Sequence, residues 1–344
     1  MPCDKISDSN TRETLNETTS GSVAPSNTPG PYVEGMVLNL TVNWTRDTPS
    51  EERVHLTVTK VFDVTMSPAM EVKWISSTRE TRTAVLKLFD RRYGEQSRGS
   101  TSAYHSPSVE ACWQRYVQSG QAPSLFKYIE EMDREEGEGV WDTFPFEGDE
   151  DTADTWETTA KKEGRLQYRA LQRWRSEIRA YEHLGKLQGK CVPLFYGKTS
   201  FSLAPPGSDP DFFRVGGILV QRIDGFVLDS LLDMTEASPD TDWQGLVQSA
   251  VEVAEEVNKC GVINHDCKPR NMIVQMPSLQ PFEIDFAQCS FREEYASEDE
   301  YNEAVRTCGN PVGFGGVVAT RLNRVLRLGI KIKYGPWLGD VIEH

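Results

Sequence analysis

The sequence predicts an α+β protein, and three observations carry that assignment. Val54–Val61, Met70–Ile75 and Thr83–Phe89 have the β-branched content or the alternation of strands. Tyr168–Leu187 and Trp243–Cys260 repeat apolar residues every three or four positions, as a helix with one buried face requires. The hydrophobic share of 38% is low for 344 residues, but the polar excess is concentrated in two segments, leaving enough apolar side chains for a core.

The first polar segment is residues 1–30, rich in Ser, Thr, Asn and Pro with almost no large apolar side chains. Burial there cannot offset the entropy of ordering, so a disordered tail is expected. The three strands follow. The last of them, Thr83–Phe89, is nearly continuous apolar sequence with Lys87 inside it. A lysine among Val85, Leu86, Leu88 and Phe89 is either a snorkelling side chain on a half-exposed strand or a cation aimed into a site. An insertion is expected over about 91–162, with helical pieces at Ser108–Gln118 and Ser124–Met132. It ends in the second polar segment. Ile129–Glu157 holds 13 acidic residues against one base, Arg134, and so contributes −12 of the formal net charge of −15. Such a run is a solvated, self-repelling insertion. It argues against a nucleic-acid partner, which needs a basic footprint. Trp141 and Phe144 within it are expected to dock on a neighbouring surface.

The helix over Tyr168–Leu187 has a stripe of Leu171, Trp174, Ile178, Tyr181, Leu184 and Leu187, with Glu177 beside it and Glu182 one register later. A glycine stop at Gly189 precedes another strand, and Gly217–Gly225 reads as an apolar strand running into a turn. Trp243–Cys260 is a long helix closed by Gly261. Helices near 298–307 and 317–328 complete the chain.

Between these last elements lies the stretch that carries chemistry. Asp266, Lys268 and Asn271 are separated from a further carboxylate, Asp285, by a short apolar strand. Phosphoryl transfer asks for a carboxylate at the attacking hydroxyl, a cation on the migrating group and oxygen ligands for magnesium. A turn of Asp, Pro and Asn between two strands would explain the residue types but not the spacing to Asp285.

Asp266-Cys267-Lys268-Pro269-Arg270-Asn271 followed by Asp285-Phe286-Ala287 resembles the catalytic loop and metal-binding segment of the protein kinase superfamily, H-R-D-x-K-P-x-x-N and D-F-G. With Phe89-Asp90-Arg91-Arg92, Ala180-Tyr181-Glu182 and fewer than 60 residues after Asp285, the chain resembles the divergent kinase-like proteins expanded in fungi. That resemblance implies a two-lobed kinase-like fold: a five-stranded antiparallel N-lobe over 31–223, and a reduced, mainly helical C-lobe over 224–344. The C-lobe would hold the catalytic loop at 262–274 and the metal-binding segment at 284–287. The resemblance also implies ATP and Mg2+. Lys87 would hold phosphates and Glu177 would hold Lys87, with Glu182 as the other candidate. Val220 would be the gatekeeper and Ile223 would offer backbone hydrogen bonds to the adenine ring. Asp266 would act on the nucleophile, Lys268 on the γ-phosphate, and Asn271 with Asp285 on the metal.

Four departures stand beside these matches. Asn264 and His265 replace the family's His and Arg, Ala287 replaces the last Gly, Thr65-Met66-Ser67-Pro68-Ala69 stands where a glycine-rich turn belongs, and no A-P-E motif follows. The expected function is an ATP- and Mg2+-dependent phosphotransferase, a Ser/Thr-type protein kinase whose hydroxyl acceptor is a protein or a small molecule. A pseudokinase scaffold and a small-molecule kinase of the aminoglycoside or choline type are the alternatives. Retention of every charged group opposes the first, and Lys268-Pro269 opposes the second. Seven cysteines without a C-x-x-C pair fit reduced thiols. No signal peptide and no run near the ~20 apolar residues of a membrane span are present, so an intracellular protein, cytoplasmic or nuclear, with no membrane partner is expected.

Overall fold

Alternation of buried and exposed side chains sets up the first sheet. The computed structural model describes residues 32–45, 50–62, 67–76, 78–94, 105–136, 155–237, 241–335 and 337–338. Strand β1 (Val37–Trp44) buries Leu38, Leu40 and Val42 and turns Val37 and Asn39 outward. It pairs antiparallel with β2 (Ser50–Val61), β2 with β3 (Ala69–Ile75), and β3 with β4 (Thr81–Phe89). Helices α1 (Pro107–Gln118), α2 (Ala122–Glu136) and α3 (Trp156–His183) intervene before β5 (Phe195–Ser202) and β6 (Arg214–Val220). Strand β6 lies between β4 and β5, and β5 returns to β1 through the pairs Val42–Thr199, Asn43–Lys198 and Trp44–Gly197.

Six strands therefore close into a barrel in the order β1-β2-β3-β4-β6-β5. This corrects the five-stranded, two-lobed kinase-like architecture that the resemblance implied. The unforeseen strand is β1, and its pairing with β5 is what closes the sheet. Backbones come close at that seam. A Cβ on Gly197 would stand 2.5 Å from the carbonyl oxygen of Asn43, so only glycine fits. The Thr199 hydroxyl donates to the carbonyl oxygen of Thr41 at 2.7 Å across the same seam. The interior is filled by Val42, Leu56, Met70, Val72, Leu86 and Leu219, all fully buried.

Most of the remaining helices follow the barrel. After β6 come β7 (Gly225–Val227), α4 (Leu231–Ala237), α5 (Trp243–Lys259), β8 (Val262–Asn264), β9 (Met272–Gln275), β10 (Gln280–Glu283), β11 (Cys289–Phe291), α6 (Glu298–Cys308) and α7 (Val317–Leu326). A three-stranded sheet runs β10-β9-β7, and β8 pairs with β11. Helix α5 buries Leu246, Val247, Ala250 and Ala254 against Phe314 and Leu322. Pro31–His344 forms one compact unit. Among the described residues no helix is long and apolar enough to cross a membrane. The expected tail (1–30), most of the acidic run with Trp141 and Phe144, and residues 63–66 of the glycine-free turn lie outside the described residues.

Helix α3 starts twelve residues earlier than its apolar stripe suggested, capped by the Thr155 hydroxyl accepting from the Thr158 N–H at 3.2 Å. Its first half packs on α1 and α2 around Trp113, where a Cβ on Gly164 would meet the indole at 2.7 Å. Buried Arg91, just past β4, ties this helical group to the barrel by donating to Glu163 and, at 2.6 Å, to Glu110.

Burial alone would raise the Glu110 carboxyl, but the neighbouring His105 and Arg91 outweigh it and hold it at about 2. A carboxyl depressed in the folded state contributes stability above its unfolded value and loses it as pH falls toward the folded one. Glu110→Gln is therefore expected to cost roughly 1–3 kcal/mol at neutral pH. The deficit should shrink between about pH 4.5 and pH 2 as wild type loses the same contribution. Urea unfolding at several pH values checks this, and a deficit unchanged at acid pH would contradict it.

Candidate functional site

Strand β4 places Lys87 opposite Ala69 on β3 and Ile218 on β6, with Leu86 and Leu88 facing the barrel interior. Its ammonium donates to Glu177 Oε2 at 2.7 Å and to Asp285 Oδ1 at 2.6 Å. The side chains are 13% exposed for Lys87, 2% for Glu177 and 22% for Asp285, so water screens these contacts poorly. Glu182, the other candidate partner, is exposed.

Two carboxylates on one cation set the electrostatics. Burial pushes the Lys87 ammonium down, but Asp285 and Glu177 outweigh it, so Lys87 stays charged well above its ordinary range. Burial likewise opposes the charge of Asp285, and Lys87 overcomes it, leaving that carboxyl below its usual value. For Glu177, burial wins over Lys87 and the Asp285 charge adds to it, so this carboxyl is raised. Two carboxylates thus share the one ammonium, and Arg173 also acts on Asp285.

Asp266 opens the second cluster. Strand β8 ends at Asn264, and Pro269 starts a short 3-10 turn through Asn271 that folds the loop back on itself. Asp266 is 5% exposed. Its Oδ1 lies 2.5 Å from Lys268 Nζ, and its Oδ2 accepts from Arg270 at 3.2 Å and from Asn271 Nδ2 at 3.0 Å. Asn271 Nδ2 also donates to the Asp266 carbonyl at 2.8 Å.

Asn264 joins the two clusters. Its Oδ1 accepts from the Asp266 N–H at 3.0 Å, while its Nδ2 donates at 3.1 Å to the Asp285 carbonyl and to Glu283 Oε1. The contact at Asp285 supports a left-handed backbone there, with φ of 64°. The Ile284 N–H donates to the Asn271 carbonyl at 2.9 Å, which sets Asn271 beside Asp285. Glu283 is 1% exposed, and burial pushes its carboxyl up to about 8 against the opposing hydrogen bond from Asn264. From the other side, Asn310 donates to the Asn264 carbonyl and lies 2.5 Å from Cys267 Sγ. A π-helical turn, Val312–Gly316, packs so close that a Cβ on Gly313 would stand 2.8 Å from the Cys267 carbonyl.

A cleft runs along the Lys87 side. Val85, Ile218, Val220, Ile223, Ile273 and Ile284 give it apolar walls, and Lys87, Glu177 and Asp285 form its charged end. Five sequence-predicted residues, Lys87, Glu177, Val220, Ile223 and Asp285, thus share one cleft, while Asp266, Lys268 and Asn271 stand in the adjoining cluster. Among the described residues neither backbone group of Ile223 has a hydrogen-bond partner. The same holds for Asn271 Oδ1 and Asp285 Oδ2. Those two oxygens fit a hard cation such as Mg2+. Among the described residues no group of three or more His, Cys, Asp or Glu could hold a metal, so further ligands would have to come from a bound phosphate or water.

Sequence reasoning gave no role to Asn264, Glu283, Arg270 or Asn310. Glu283 left a signal, a carboxylate inside the apolar run Phe282–Ile284, whereas Asn310 in the link after α6 left none. No protein-family model matches the chain, and no curated protein matches it.

Removing one partner of a buried ion pair strands the other charge. Lys87→Met should cost roughly 3–5 kcal/mol in denaturant unfolding, because Glu177 and Asp285 lose their shared cation. Adding Glu177→Gln should recover a large part of that loss. A single variant as stable as wild type would mean that the three side chains do not form a buried cluster in solution.

Proposed function

We propose that the protein is an ATP- and Mg2+-dependent phosphotransferase acting on a hydroxyl group. The observation that carries the proposal is the joining of two clusters by one side chain. Asn264 binds both the Asp266 N–H and the Asp285 carbonyl, next to an apolar cleft that ends in Lys87. The proposal rests on the chemistry of these side chains and not on the barrel, since one fold serves many functions.

Each residue has a part that its surroundings support. The walls formed by Val85, Ile218 and Val220 suit a flat heteroaromatic ring, and the unpaired backbone groups of Ile223 can recognise its edge. Lys87 is charged, oriented by Glu177 and able to hold phosphate oxygens. Asn271 Oδ1 and Asp285 Oδ2 would hold Mg2+, which supplies charge neutralisation on the phosphates.

In the transfer, the acceptor hydroxyl oxygen forms a bond to the γ-phosphorus as the bond from that phosphorus to the β–γ bridging oxygen breaks. ADP leaves with the bonding electron pair. The hydroxyl proton passes to Asp266, whose orientation is fixed by Asn271 and Asn264. Lys268, 54% exposed, can follow the migrating phosphoryl oxygens.

Asp285→Ala should abolish the magnesium-dependent thermal shift produced by ATP. Asp266→Ala should keep that shift while slowing ADP formation by roughly 10^2–10^4-fold. Measuring both variants separates metal holding from proton transfer. Equal loss of the shift in both would contradict these roles.

A further inference from the structure

The two halves of the site have opposite ratios of acid to base. At Lys87 two carboxylates share one ammonium. At Asp266 the ratio is reversed. One carboxylate faces both Lys268 at 2.5 Å and Arg270 at 3.2 Å, an excess of one positive charge in a chain whose formal net charge is −15. The elements packed against Pro269–Asn271 do not cancel it. The turn Leu228–Ser230 brings Asp229, but its carboxylate is already paired with Arg321 at 2.5 Å. Strand β7 and the π-helical turn Val312–Gly316 carry no charged side chain.

Building on the phosphotransferase proposal, we infer that the acceptor is an acidic peptide, a serine or threonine hydroxyl flanked by carboxylates, and that Arg270 selects it. Transfer needs one cation on the phosphoryl group, and Lys268 is the more exposed of the two, 54% against 41%. Arg270 is then left for the acceptor. Its planar guanidinium, with donors to spare beyond the single contact to Asp266, suits a carboxylate near the reacting hydroxyl. Openness favours a chain over a small molecule. The apolar cleft stops short of Asp266, Lys268 and Arg270, and both cations are half exposed at the surface. An extended segment can lie across such a surface, whereas a small alcohol gains its affinity from enclosure.

The test uses the full chain and three labelled peptides of equal length, each with one central serine flanked by Glu, by Lys or by Ala. Fluorescence anisotropy reads binding, and the ATP- and magnesium-dependent thermal shift is recorded on the same samples. The Glu-flanked peptide is expected to bind roughly tenfold more tightly than the Lys-flanked one, with the preference shrinking as salt rises. Arg270→Gln should remove most of that preference and Arg270→Glu should reverse it, while the thermal shift in each variant reports that the fold is intact. With the shift present, equal binding of acidic and basic peptides overturns the acceptor assignment alone. A preference that survives in folded Arg270→Gln overturns the role of Arg270. Displacement of the acidic peptide by glycerol 3-phosphate at comparable concentration overturns the choice of a peptide in favour of a small anionic alcohol. Absence of the shift in wild type refutes the phosphotransferase proposal, and anisotropy then decides separately whether this surface selects acidic chains.

Discussion

The geometry of the site depends on one buried ammonium. Lys87 lies 90 residues from Glu177 and 198 from Asp285 in sequence, and it holds both carboxylates within 2.7 Å. Taking two carboxylates out of water is tolerable only if a cation goes with them. The barrel, helix α3 and the segment after β10 must therefore meet at that point. What lies between Lys87 and Glu177 is free to vary, because the entropy of closing a longer connection grows only slowly with its length. The chain uses that freedom. Helices α1 and α2 fill part of the interval; α1 is tied back through Arg91, whose guanidinium is almost wholly buried between Glu163 and Glu110, and α2 through the Asp133–Arg169 pair with α3.

A second constraint is the neutrality of what surrounds Asn264. Its amide touches the Asp266 N–H, the Asp285 carbonyl and Glu283 at once, and it is completely buried. A carboxylate in that place would repel Glu283 and could not donate to the Asp285 carbonyl. An amide supplies a donor and an acceptor with no net charge. Glu283 fits the same logic, since burial pushes its carboxyl up to about 8 and so favours the proton-bearing form.

Much of this was legible in the sequence. Lys87 stood out as a lysine inside the apolar run Val85–Phe89, where a snorkelling side chain and a cation aimed into a site were both open, and Glu177 because it flanked the apolar stripe of its helix. The helices at Pro107–Gln118, Ala122–Glu136 and Trp243–Lys259 fall where periodicity put them. The sixth strand was missed, although Leu38, Leu40 and Val42 alternate with polar Asn39, Thr41 and Asn43 as a half-buried strand requires. Closure itself is a long-range fact: it depends on Gly197 admitting Asn43, and local pattern does not report a contact between residues so far apart. Likewise Arg270 looked like an ordinary loop residue until the fold set it on Asp266, and the early start of α3 was hidden by its polar first turns.

Closing the sheet has a consequence beyond shaping the cleft. An open sheet of five strands would present two rows of unpaired N–H and C=O groups, each a template for another chain. The pairing of β1 with β5 shortens both by joining Val42–Trp44 to Gly197–Thr199. Strand-on-strand docking of a partner is thereby hindered at the seam, and so is the commonest route by which a folded β-protein seeds fibrils. The outer strands of the small sheets, β7, β10, β8 and β11, also have open edges, but they are just three or four residues long. Protection from aggregation is in this way built into the hydrogen-bond topology of the backbone, independent of the acidic surface charge.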